Sequence, residues 1–75
     1  MSPTNRNAGL FAARAHARAL KAWRSAAQLV WTRWQTFLEA EPETRAWAFA
    51  AYLAALDEES AAAAHLSGSR LARAA

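Results

Sequence analysis

The sequence predicts an all-α fold, an antiparallel two-helix hairpin, and three observations carry that reading. Alanine, the strongest helix former, supplies 23 of the 75 residues. Proline and glycine are absent from residue 10 to residue 41. The one interior break, Glu41-Pro42-Glu43, is short enough to leave the two helical stretches antiparallel.

An N-terminal arm occupies residues 1–5. Ser2, Thr4 and Asn5 offer capping oxygens there, and Pro3 is not expected deep inside a helix. The first helix is expected over residues 6–40, with Gly9 a small cost near its start. The residue before a proline is pushed out of the helical region, and proline suits the first position of a helix. Pro42 therefore opens the second helix, expected over residues 42–66, with Glu41 and Glu43 at its positive end. Ser67-Gly68 is a good stop, which leaves residues 68–75 as a tail.

The apolar period agrees with a hairpin. At roughly 100° per residue, Leu20, Trp23, Ala27, Val30, Trp34 and Phe37 share one stripe of the first helix. Arg14, Arg18, Ser25, Thr32 and Thr36 take the opposite side. In the second helix Phe49, Tyr52, Leu53, Leu56 and Ala63 form the matching face, with Arg45 and Glu59 at its ends. A corner centred near Glu41 sets Trp34 beside Ala48 and Phe49, Val30 beside Tyr52, and Trp23 beside Glu59. In that register the Trp23 indole donates to Glu59, and beyond Leu20 alanine packs on alanine.

Two helices cover only one stripe of each other. Eighteen apolar residues larger than alanine are a thin core for a chain of this length, yet too many for a hairpin to hide. Trp31 and Leu38 flank the expected stripe, Trp47 points away from it, and Phe11 and Leu29 sit on the nominally polar side. Scattered single apolar residues are normal on a surface, but five together point to association. The expected interface is Phe11, Leu29, Trp31, Leu38 and Trp47. It completes a helical bundle either with a second copy of the chain or on a larger protein complex.

The net charge of +3 conceals a segregation. Residues 1–38 carry Arg6, Arg14, Arg18, Lys21, Arg24 and Arg33 and no acid, whereas residues 39–59 carry six acids against Arg45. The expected register lays Lys21 and Arg24 near Asp57 and Glu58, so the two halves largely neutralise each other. Arg14, Arg18 and Lys21 follow helical spacing along one face, flanked by Arg6 and Arg24. That face could track phosphates, and five contacts would give a salt slope of about −4.5. Nucleic acid is therefore the alternative partner, although no zinc-finger, ribonucleoprotein or basic-zipper pattern accompanies the basic face.

Other chemistries find little support. The chain has no cysteine, so disulfides and thiolate metal sites are excluded. His16 and His65 fall near one level, yet neither has a ligating neighbour three or four residues away, and a capping or surface role is expected. Asp57, Glu58 and Glu59 are consecutive and fan around a helix, so they cannot converge on a substrate. Local accidents of spacing apart, Ser25, Ser60, Ser67 and Ser69 have no histidine placed to make a nucleophile, and there is no glycine-rich phosphate loop. The expectation is a non-enzyme that needs no metal or cofactor. The longest uncharged apolar run, between Arg45 and Asp57, is too short to span a membrane. The Arg- and Ala-rich start imitates a transit peptide, but its periodic segment continues to Leu38, so the chain reads as mature and cytoplasmic.

Overall fold

The computed structural model describes residues 3–74, with side chains from residue 9 to residue 71. It is all-helical: α1 spans Pro3–Glu39 and α2 spans Arg45–Ala74, packed side by side as a hairpin. The Cα atoms fill a rod of 64 × 13 × 12 Å. A helix has a Cα radius of about 2.3 Å, so the 13 Å width leaves roughly 8 Å between the two axes.

Such close approach follows from what lies in the seam. In α1 the residues turned toward α2 are Ala12, His16, Ala19, Trp23, Ala26, Val30, Arg33 and Phe37, spaced alternately four and three apart. In α2 the corresponding row is Ala48, Tyr52, Ala55, Glu59, Ala62, Leu66 and Ser69. This is heptad spacing. Its buried members are Ala19, Ala48, Ala55 and Leu66, so small side chains set the distance between the helices.

The seam corrects the expected face of α2. Phe49 and Leu53 are exposed, and the row one residue earlier is buried instead. Alanine at that row lets the backbones approach, whereas Phe49 and Leu53 would hold them apart.

The corner also differs from expectation. Pro42 does not open α2; it lies in a turn, and α2 begins three residues later, at Arg45. Thr44 occupies the N-cap position: its carbonyl accepts from Ala48 N–H at 2.9 Å, and its own N–H and hydroxyl both donate to Glu41 O, at 3.0 and 3.3 Å. Glu41 and Glu43 therefore precede the first turn of α2, which contains no acid. Arg45 reaches back to donate from Nη2 to Ala40 O at 3.5 Å. It thereby brings a cation to the negative end of α1, whose own last turn has none.

The longer corner shifts the register by about one turn, roughly 5 Å. Trp34 packs on Tyr52 and Phe37 on Phe49, with centroids 5.1 and 5.3 Å apart and ring planes tilted by 50° and 52°. Trp34 also meets Phe37, and Phe49 meets Tyr52, so four rings close a circuit across the corner half.

At the far end α2 runs through Ser67 and Gly68 without stopping. Among the described residues no glycine has a positive φ, so Gly68 is helical and is not a cap. Leu66 and Ser69 continue the seam, and their contacts with α1 outweigh a glycine penalty of about 1 kcal/mol. At the start of the chain Pro3–Asn5, expected in the arm, belong to α1.

Candidate association surface

One residue further along each seam row, a second row begins. Stepping forward by one residue turns a side chain about 100° round its helix. Because α1 and α2 run in opposite directions with the same hand, that step carries both rows toward the same broad side of the hairpin.

On α1 this second row includes Leu20, Trp31, Trp34 and Leu38; on α2 it includes Phe49, Leu53 and Leu56. Trp31 is 63% exposed, Leu38 56%, Leu53 44% and Phe49 42%. Leu20, Trp34 and Leu56 are half-buried beside them. In the observed register Leu53 lies level with Trp31 and Trp34, and Phe49 packs at a tilt on the seam residue next to Leu38. Four of the exposed large apolar side chains thus gather on the corner half of one face, on a footing of tilted ring contacts, while Leu10, Phe11 and Leu71 are exposed toward the open end.

The opposite broad face is the row one residue before each seam, and it is mixed. It carries Trp47 and Leu29, together with Arg18, Thr32, Glu58 and His65. Trp47 is 70% exposed, while Leu29 is half-buried against α2. Phe11, also 70% exposed, stands level with the last residues of α2, where the partner helix runs out.

The five residues expected to form one interface are therefore divided. Trp31 and Leu38 lie on the apolar face; Phe11, Leu29 and Trp47 lie on the other. The two that complete the apolar face, Phe49 and Leu53, had been placed in the interior. Their signal was in the sequence: the row one position earlier than Phe49, Leu53 and Leu56 is Ala48, Tyr52 and Ala55, which has the same spacing and whose alanines suit a close seam better. No family of proteins, no curated protein and no solved structure matches this chain. Its function must be argued from this surface.

The register shift also rearranges the polar groups. Trp23 stands level with Ala62 and Ala63 and not with Glu59, so the expected indole–carboxylate bond is absent from the bonds the described residues make. Arg24 is level with Ala61 and Ala62, and Lys21 with Ala64 and His65, about a turn or more beyond Asp57 and Glu58. Arg14 and Lys21 are exposed on the side of α1 turned away from α2, and Arg18 is exposed beside them on the mixed face. Arg6 lies outside the residues whose side chains are described.

His16 and His65 are not brought together: His65 is exposed on the mixed face. His16 instead meets Ser69, with Nδ1 3.1 Å from Oγ. The Ser69 hydroxyl donates its single proton to Leu66 O at 2.9 Å, so His16 Nδ1 is the donor to Ser69 Oγ. That direction is opposite to the one a serine nucleophile needs, and the pair pins the open end of the hairpin. Among the described residues no three histidines or carboxylates lie close enough to hold a metal ion, and no helix is long and apolar enough to cross a membrane.

Proposed function

We propose that this chain is a small, cytoplasmic, non-catalytic helical protein that works by protein–protein association. It acts either as a homo-oligomeric structural unit or as an accessory or adaptor subunit of a larger complex. One observation carries the reading: Trp31, Leu38, Phe49 and Leu53 are all substantially exposed on one side of the rod, beside the tilted ring contacts of Trp34, Phe37, Phe49 and Tyr52. Isolated apolar residues need no partner, but a clustered patch on so small a protein is a docking site. The non-catalytic part is supported by the divergence of Asp57, Glu58 and Glu59 and by the commitment of the Ser69 hydroxyl to a backbone carbonyl.

The test is the size of the chain in extract from cells that express it natively. It should elute well above 8.2 kDa, and a variant carrying Leu53→Glu should return toward the free size. Elution of the unaltered chain as a free monomer in that extract would overturn the proposal.

A second reading rests on the exposed row Arg14, Arg18 and Lys21. The register leaves it opposite Ala61–Leu71, a stretch of α2 with no acid to neutralise it. Three phosphate contacts would give a log–log salt slope of about −2.7 on a labelled duplex followed by fluorescence anisotropy. Absence of binding at low salt ends that reading.

A further inference from the structure

We infer that the apolar face is covered by a second copy of this chain, lying with its corner at the same end, to make a four-helix bundle. This rests on the association reading above and names the partner. A helix that packs against one neighbour needs one heptad row; a helix in a four-helix bundle needs two adjacent rows, one for each neighbour. Both helices here carry two. The first pair of rows meets in the hairpin seam, and the second pair opens together on one side. Apart from Arg24 and Arg70, the second pair is uncharged.

The surface area points to a partner of comparable size. The chain exposes 5893 Å², whereas a compact protein of 8.2 kDa exposes about 4,500 Å². The excess, roughly 1,400 Å², is larger than the ~800 Å² that each partner commonly contributes to a stable interface. A face that is a self-complementary half of a bundle accounts for it.

The direction follows from which residues share a level. With the twofold axis along the rod, α1 of one copy lies over α2 of the other. Trp31 then falls level with the second copy's Leu53 and Leu56, and Leu38 falls beside its Phe49. The four exposed apolar side chains of this face, Trp31, Leu38, Phe49 and Leu53, are covered at once. Arg24 falls level with the second copy's Ala61 and Ala62, about a turn from its Glu58. Nearly complete overlap in the reverse direction would instead lay α1 on α1. It would set Trp31 over alanine and bring Arg24 against the second copy's Arg24 near the axis.

The experiment uses the purified full chain. Light scattering with size exclusion should show a dimer at micromolar concentration. Leu53→Glu and Leu38→Glu, both at exposed positions that the hairpin itself does not need, should each weaken dimerisation at least about 100-fold. Trp47→Glu, at a still more exposed position on the opposite face, should leave it within about threefold. A spin label on Glu41→Cys, the only thiol in the chain, reads direction. Corners at one end give a label separation of roughly 25 Å, a few interaxial spacings, and corners at opposite ends give about the 64 Å rod length. A dimer with distant labels, or one that Trp47→Glu dissociates as readily as Leu53→Glu, overturns the inference. A purified chain that is a folded monomer overturns it too. If that same chain remains large in native extract, the association reading stands and the second copy is wrong; if it is monomeric there as well, both fall.

Discussion

Near the corner, α1 and α2 are joined by a circuit of four rings, Trp34, Phe37, Phe49 and Tyr52. At the open end they are joined by Ala19, Leu66 and one side-chain hydrogen bond, His16 to Ser69. The seam is narrow in both halves, because alanines line it throughout. What differs is where bulk goes when the seam has no room for it. In the corner half, Trp31, Leu38, Phe49 and Leu53 are displaced sideways and become the exposed apolar face. In the open half that face is mostly alanine, serine and arginine, and Leu10, Phe11 and Leu71 are the large apolar side chains exposed toward that end. A close alanine seam therefore creates the association surface by excluding the residues that make it.

Truncating one large side chain in each half probes that difference most strongly. Among the described residues Leu66 is the one buried residue larger than alanine. Leu66→Ala should cost about 3 kcal/mol, because nothing else at its level can fill the space. Phe37 is half-buried, and the other three rings remain after Phe37→Ala, so about 2 kcal/mol is expected. Thermal unfolding at one fixed protein concentration separates them, since each kcal/mol moves Tm by roughly 4–8 °C in a chain this small. A larger loss at Phe37 than at Leu66 would show that the ring circuit, and not the open-end seam, dominates stability.

A smaller effect, opposite in sign, tests how the open half ends. Gly68 lies within α2, without positive φ, and a Cβ built there meets nothing within 4 Å. Gly68→Ala should therefore stabilise by about 0.5–1 kcal/mol through helix propensity alone. A glycine ending the helix in a left-handed conformation would respond the other way, because alanine is strained there. The direction of the Tm change decides where α2 stops.

Much of the helical content was legible in the residues. Alanine content and the long gap without proline or glycine announced two antiparallel helices, and Trp31 and Leu38 stood out because no single stripe accommodates them. The seam of α2 was not legible in the same way. Two rows one residue apart have equal periodicity, and hydrophobicity favours Phe49, Leu53 and Leu56 over Ala48, Ala55 and Ala62. Only the distance between backbones reverses that preference, and distance is a property of the pair. The register was missed for a local reason: Pro42 fits the first position of a helix, yet Thr44 takes the N-cap position, and the choice moves every cross-helix partner by about a turn. Gly68 misled similarly, since local propensity is weaker than the seam contacts made by Leu66 and Ser69 on either side.

The His16–Ser69 bond gives the smallest effect and the most direct check of that register. Ser69→Ala removes an acceptor of His16 Nδ1 in a part-buried site, a loss of about 1 kcal/mol. It also places alanine at a helical position, which returns up to about 0.5 kcal/mol, so the net change in global stability should be near 0.5 kcal/mol. A single variant cannot distinguish that from propensity. A double-mutant cycle with His16→Ala can, because propensity cancels and the coupling between the two positions remains. The expected coupling is about 0.5–1.5 kcal/mol. A coupling indistinguishable from zero would mean that residue 16 does not face residue 69. Because the same register sets Trp34 on Tyr52 and Leu53 level with Trp31, the layout of the apolar face would then have to be redrawn.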